Sequence, residues 1–372
     1  MEALRTHPGR SSLIATLVAS VLLALAPAGA SAARGAAPND RAFTTQWQLS
    51  GDKAMGARSA WTQSTGGDVV VAVLDTGAQL DHPDLAANVW VNAGEIAGNG
   101  IDDDANGYAD DVHGYDFAGK DADPSDDHGH GTAVAGVIGA RGNNGTGITG
   151  VAWRARLMIV KVLGANGSGS VYDVARGIRY AVANGAKVVN LSMAGPDTAP
   201  ELEAAIAEAK AAGVLIVAAA GNTGADLDAK PAYPASSGDV IGVASTDDTG
   251  RLAPGSSFGA TTVEIAAPGE NIVSTARNGR YETRSGTSQA AAHVTGTLAL
   301  MAAAAPTATA DMLRERLLGT TRAKGLPVAA GSLDAGAALR TGKAAKRSKV
   351  RKASSRKALR SVGSAPATMT IG

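Results

Sequence analysis

The sequence predicts an α/β fold, a three-layer, doubly wound and mostly parallel sheet, on three observations. Six short runs rich in Val, Ile, Leu and Ala recur along the 372 residues, and continuous apolar runs of that length suit strands buried on both faces. Helix-patterned stretches separate several of them, the arrangement of right-handed crossovers between parallel neighbours. The chain is 45% hydrophobic yet only 3% aromatic, so the core must rest on small aliphatic side chains.

The elements follow in order. Residues 39–61 read as an N-terminal arm leading into a helix. The first strand covers 69–74, and further strands are expected at 157–163, 187–193, 214–220, 240–244 and 263–266. Helices are expected at 132–140, 171–183 and 200–212, with closing helices at 288–305 and 310–318, the first of these stopped by Pro306. Sheets of this kind gather ligand groups beyond the carboxyl ends of their strands. Asp75 ends the first predicted strand, Ser192 lies at the end of the third and Asn222 just follows the fourth.

Composition limits the chemistry. With no cysteine, disulfides, Cys-based zinc sites and a thiol nucleophile are all excluded. At the N-terminus, Arg5 and Arg10 precede an apolar run from Leu13 to Ala26, and Ala28-Gly29-Ala30-Ser31-Ala32 follows. That pattern is a secretory signal peptide over residues 1–32, its apolar run being too short for a comfortable membrane span. A secreted chain with no transmembrane segment after cleavage is expected. The formal net charge of zero conceals an asymmetry: residues 36–340 hold 33 acidic and 22 basic side chains, whereas residues 341–372 hold nine basic and none acidic. The body is expected to be one domain over 33–340, and the basic tail over 341–372 to be disordered.

Three segments carry a reaction. Arg284-Ser285-Gly286-Thr287-Ser288-Gln289 places a serine after a tight turn and at the start of an alanine-rich helix. A helix start supplies unpaired N–H groups and partial positive charge, both useful beside a developing oxyanion. Val73-Leu74-Asp75-Thr76-Gly77 and Gly129-His130-Gly131-Thr132 supply a carboxylate and an imidazole. Aspartate, histidine and serine are the parts of a serine hydrolase. Ser288 would attack the scissile carbonyl, His130 would take and return its proton, and Asp75 would hold the imidazole. His293, inside the predicted helix, reads as a packed core histidine, and His128 as a loop residue.

These segments, in this order, resemble the subtilisin-like serine proteases, and in the N-terminal half their calcium-rich, thermitase-like secreted members. The resemblance rests on Asp75-Thr76-Gly77 with His82-Pro83-Asp84-Leu85, on His128-Gly129-His130-Gly131-Thr132-Ala133, and on Gly286-Thr287-Ser288 with His293-Val294. It implies that the Asn222 amide donates to the oxyanion. It also implies that Ser192, Met193, Ala194, Ala220 and Gly221 wall the P1 pocket, and that Ser168 and Gly169 form an edge pairing with an extended polypeptide substrate. Uncharged walls favour an apolar or broadly tolerated P1 residue, and the Ala194 methyl narrows the pocket.

Metal sites are expected in the acidic stretch from Asp81 to Asp127, which holds thirteen acidic residues and one basic one. Such crowding repels itself unless cations compensate. Asp102, Asp104, Asn106 and Asp110 follow the first part of an EF-hand-like loop, with His113 where the closing glutamate would stand. The resemblance implies a second group at Asp116, Asp121, Asp123 and Asp126, and a third at Asp40, Asp84 and Asn144. Hard oxygen donors favour structural Ca2+.

Some features depart from the family pattern. Gln289, Ala292 and Ala133 stand where methionine, proline and a second histidine are usual. Only a few residues separate Ala32 from Asn39, where such proteases carry a folding prodomain. An active secreted endopeptidase acting as a monomer is the reading, with a catalytically impaired binding protein of the same fold as the alternative. The basic tail is expected either to tether the chain to anionic cell envelope or nucleic acid, or to be trimmed away.

Overall fold

In chain order, two short helices, α1 (Trp47–Ser50) and α2 (Ala57–Ala60), precede β1 (Val70–Asp75), β2 (Gly114–Asp116), α3 (His130–Gly139), β3 (Arg156–Lys161) and β4 (Ser168–Ser170). Then come α4 (Val171–Ala183), β5 (Val188–Leu191), α5 (Pro200–Ala211), β6 (Leu215–Ala219), β7 (Val240–Thr246) and β8 (Ile265–Pro268). A hairpin of β9 (Ile272–Ala276) and β10 (Arg280–Arg284) leads into α6 (Thr287–Ala304), α7 (Ala310–Gly319), α8 (Ala335–Leu339) and β11 (Thr368–Thr370). This computed structural model describes residues 37–51, 55–322, 325–340 and 367–371. The expected signal peptide lies outside them.

Seven strands form one sheet in the order β2-β3-β1-β5-β6-β7-β8, every pair parallel. The two-residue periodicity of a strand divides its side chains between the faces. Val71 and Val73 of β1 join one core with Leu157 and Ile159 of β3, and with the buried faces of α3 and α6. Ala72 and Leu74 join the other with Met158 and Val160, under α4 and α5. The three-layer, doubly wound α/β fold is therefore the observed one. Small residues set its spacing. A Cβ on Gly177 of α4 would come within 2.9 Å of Val162 and 3.1 Å of Val160, so helix and sheet pack closer than larger side chains allow.

All six strands and five helices read from the sequence are present, with ends displaced by at most two residues. The elements not anticipated are short or polar. Strand β2 lies inside the acidic stretch, and the β9–β10 hairpin has an outward strand of mostly polar residues. The hairpin braces α3: Ser274 Oγ and Thr275 Oγ1 donate to the carbonyls of Ala133 and Thr132 at 2.6 and 2.7 Å. The scarce aromatic rings also gather. Tyr108, Tyr115, Phe117 and Tyr180 pack with centroids 4.6 to 5.8 Å apart, anchoring the acidic loops to α4.

A disordered tail through to its end is the expectation that the structure corrects. Residues 341–366 and 372 lie outside the described residues, but Thr368–Thr370 form a strand antiparallel to β4. The physical reason is local: Thr-Met-Thr-Ile alternates β-favouring residues, and Met369 buries its side chain completely. Among the described residues no helix is long and apolar enough to cross a membrane.

Candidate active site

The strand order reverses at β1, which has β3 on one side and β5 on the other. Ligand sites of doubly wound sheets lie at such a switch point, beyond the strands' carboxyl ends. Asp75, the last residue of β1, is fully buried there, and its Oδ1 receives the Thr76 N–H at 2.8 Å and lies 2.7 Å from His130 Nδ1. His130 opens α3 and is 5% exposed.

This contact needs the start of α3 pressed against the end of β1, and two neighbours allow it. A Cβ on Gly131 would lie 2.0 Å from the Gly77 carbonyl and 3.1 Å from Asp75 Cβ, so only glycine fits. Asp126 ties the segments: its carboxylate accepts from Thr76 Oγ1, from the N–H groups of His128, Gly129 and Thr132, and from Thr132 Oγ1, at 2.5 to 3.0 Å. Asp126 was expected among metal ligands, but five hydrogen bonds occupy both its oxygens, so its observed work is to hold His130 over Asp75.

Ser288 is the second residue of α6 and 3% exposed. Gly286 before the helix has φ of +145°, a conformation that side chains disfavour. The Ser288 hydroxyl donates to the Ser192 carbonyl at 3.1 Å, and Ser192 Oγ donates to the Ser288 carbonyl at the same distance. Among the described residues no hydrogen bond joins Ser288 to His130, so the constellation is closed on its Asp75–His130 side only. Asn222, just beyond β6, sits against the same turn. Its Oδ1 accepts from the Thr287 N–H and hydroxyl at 2.9 and 3.1 Å, leaving the amide N–H pair as its donors.

The other predicted residues fall along the same edge. Ser168 and Gly169 lie in β4, paired with Thr370 and Met369. Ala194 pairs with Thr370. Gly221 has φ of +97°, and a Cβ added there would stand 3.6 Å from the Ala194 methyl, so the walls approach closely. Met193 and Ala220 are buried in the α4–α5 core. His293 lies wholly inside α6's packing, its Nδ1 on the Gln289 carbonyl at 2.9 Å.

The acidic stretch divides differently from its expected grouping. Asp104 converges with Glu95 and Asp111, their ligand atoms all within 4.8 Å. Asp102 instead closes its own turn on the Asn106 and Gly107 N–H groups, and Asp110 accepts from those of Asn99 and Gly100. Asn106 donates to both Asp104 and Asp111. Glu95 and Asp111 were missed because they fall outside the alternating oxygen pattern. Asp111 is buried, and burial raises its carboxyl above the usual range despite hydrogen bonds from Tyr180, Asn92 and Asn106. Two carboxylates drawn up to a buried third are a donor set that suits a hard cation.

In the second group, burial likewise raises Asp116, partly offset by the Gly119 N–H and by Lys161. Lys161 Nζ lies 2.7 Å from Asp127 and 3.9 Å from Asp116, a protein cation where only a metal was expected. Asp121 and Asp123 accept the N–H groups of Asp123 and Ser125. The third group does assemble. Asp40 accepts from the N–H groups of Asn143 and Asn144 and from the Thr149 hydroxyl, while Asp84 accepts from Asn144 Nδ2 and the Ile148 N–H. Burial raises Asp84 as well.

Sheet, switch point and buried edge chemistry define an α/β hydrolytic enzyme. The chain belongs to the subtilase family, whose model matches residues 66–356. It is 38% identical over 265 residues to thermitase of Thermoactinomyces vulgaris, covering 71% of this chain and 85% of that one. It is 40% identical over 261 residues to subtilisin Savinase of Lederbergia lenta, covering 70% and 86%. A solved protease of Pseudoalteromonas arctica superposes with a TM-score of 0.70 at 32% identity, over 82% of this chain and 99% of that one. The chain is a serine endopeptidase.

Burial makes one pH dependence calculable. His293 has its pKa pushed down from 6.5 to about 4. Below pH 6.5 the unfolded chain takes up a proton that the folded chain refuses, so stability falls as pH drops from 6.5 toward 4. The full effect is at most about 3 kcal/mol. Urea unfolding at pH 7, 5.5 and 4.5 should show a shallower acid loss for His293→Asn than for the unsubstituted protein. Equal slopes would contradict this assignment.

Proposed function

We propose that this endopeptidase is secreted, is stabilised by calcium, and cleaves polypeptides through an acyl-enzyme formed on Ser288. The observation that carries the reading is the buried 2.7 Å contact between Asp75 Oδ1 and His130 Nδ1 at the sheet edge that also holds Ser288. Asp75 accepts the Nδ1–H, which leaves Nε2 as the base. The Ser288 hydroxyl leaves the Ser192 carbonyl, gives its proton to His130 and attacks the scissile carbonyl. The imidazolium, stabilised by Asp75, then protonates the departing amine. In the second half a water gives a proton to His130 and attacks the acyl carbonyl. The bond to Oγ then breaks to release the acid, and the imidazolium returns its proton to Ser288.

The oxyanion is held by the Ser288 N–H at the start of α6 and by the Asn222 amide, whose orientation Thr287 fixes. Preorganised donors of this kind act on charge that exists only in the transition state. The uncharged walls at Ala194 and Gly221 support an apolar or broadly tolerated P1 residue. Secretion rests on the signal-like sequence of residues 1–32.

Calcium binding is supported by the donor chemistry of two groups. Glu95, Asp104 and Asp111 would hold one ion, and Asp40, Asp84 and Asn144 another, the latter joining the N-terminal arm to the loop at 143–149. Bound Ca2+ supplies charge compensation and cross-linking and takes no part in the bond cleavage.

A fluorophosphonate probe should label the folded protein at Ser288, and not the Ser288→Ala variant. Absence of labelling would favour an impaired binding protein instead. Asn222→Ala should lower kcat by about 10²–10³, the loss found for one oxyanion donor in subtilisin, with KM little changed. A loss confined to KM would remove Asn222 from the transition state. Excess EDTA should lower Tm, with added Ca2+ restoring it by mass action. An unchanged Tm would count against both metal groups.

A further inference from the structure

The C-terminal strand β11 lies against residues assigned above to substrate binding, Ser168, Gly169 and Ala194. It lies between two backbone edges. On one side it pairs with β4, Met369 opposite Gly169, and the Ile371 N–H donates to the Gly167 carbonyl at 3.0 Å. On the other side Ala194 and Thr370 exchange both backbone hydrogen bonds, at 2.9 and 3.1 Å. Both edges lead directly to the reacting groups. Ala194 is two residues from Ser192, whose carbonyl holds the Ser288 hydroxyl. A Cβ on Gly167 would stand 2.6 Å from Ile371 Cδ1 and 3.5 Å from His128 Nε2, and the His128 ring lies 6.5 Å from that of His130.

Met369 anchors the strand. It is fully buried and belongs to the same apolar core as Met193, Val171 and Leu163. A Cβ on Gly195 would come within 3.0 Å of its sulfur, so the pocket is shaped closely around it. Thr368 and Thr370 face solvent, the alternation of a strand laid on a surface groove. An extended segment held by backbone bonds on both sides, with one alternate side chain in an apolar pocket, is how extended peptides are recognised.

We propose that this C-terminal segment is a tethered occupant of the substrate cleft, a competitor built into the chain. The inference rests on the protease reading only in naming what is excluded. Residues 341–366 join the segment to the body, 26 residues with an extended reach of about 85 Å. A ligand on such a tether meets its site at an effective concentration on the order of millimolar. An intrinsic dissociation constant of about 0.1 mM would thus raise the apparent KM roughly tenfold, leaving kcat unchanged. Cutting the basic segment anywhere would dilute the competitor and open the cleft.

The test uses the full chain with Met369→Asp, which puts a charge in the apolar pocket, and with Thr370→Pro, which removes the N–H given to Ala194. Met369→Leu serves as the conservative control. On an internally quenched peptide substrate, both disruptive variants should show a KM about tenfold lower with kcat within twofold, and Met369→Leu should match the unsubstituted protein. The same tails placed in the Ser288→Ala background are titrated with fluorescein-labelled Ala-Thr-Met-Thr-Ile-Gly by polarisation. The clefts of the proteins with disrupted tails should bind it at least tenfold more tightly than that of the protein with the intact tail. Equal binding by intact and disrupted tails, or binding by neither, would overturn the proposal even if turnover is normal. No turnover by any form would overturn the protease reading, and the polarisation arm would still decide the occupancy.

Discussion

The site depends on one buried carboxylate that never meets the substrate. Asp126 collects five hydrogen bonds from the end of β1 and the start of α3. Thr76 passes this restraint on, donating to Asp126 while accepting from the Gly131 N–H at 2.9 Å. Without that knot the loop before His130 would have to order itself each time the imidazole met Asp75, and their contact would lose its preorganised geometry. Charge-assisted hydrogen bonds to backbone N–H groups suit the task, because an anion satisfies several donors at once and resists rearrangement.

The acidic residues around Asp126 serve a different end. The stretch from Asp81 to Asp127 carries far more negative than positive charge, and its folding sets carboxylates against each other. Three devices oppose the repulsion. Lys161 reaches between Asp127 and Asp116; Asn92 and Asn106 donate to Asp104 and Asp111; and Asx-type turns spend carboxylates on nearby N–H groups. Asp84, Asp111 and Asp116 nonetheless remain raised by burial. Asp84 and Asp111 belong to the two groups proposed for calcium, where a bound cation would offset that burial.

What the sequence made legible follows from where its signals were local. Buried strands such as 214–220 announce themselves by unbroken apolar runs, and the serine, histidine and aspartate segments by motif and order. The roles of Asp126 and Glu95 were illegible for the opposite reason. A carboxylate in an acidic loop looks alike whether it binds N–H groups, a lysine or a metal, and only the fold decides which partner arrives. Lys161 ends a strand whose apolar run continues past it, so nothing in the pattern tied it to Asp127, 34 positions earlier. The motifs pair Ser288 with His130, yet the hydroxyl donates to the Ser192 carbonyl, a backbone partner that only the fold supplies.

The tail was misread because composition and pattern disagreed within it. Nine basic residues dominate 343–360, and such charge argues against order. Thr-Met-Thr-Ile at the end carries no charge and alternates, but four residues are too few to form a stable strand alone. They order because β4 and the segment at Ala194 present two free edges at one spacing. A cleft that binds extended chains must keep such edges open, and open edges accept whatever strand is most concentrated nearby. A tether makes the chain's own end that strand. The same edge chemistry that suits the enzyme to polypeptides therefore makes self-occupation the default, and substrate must compete with the protein itself.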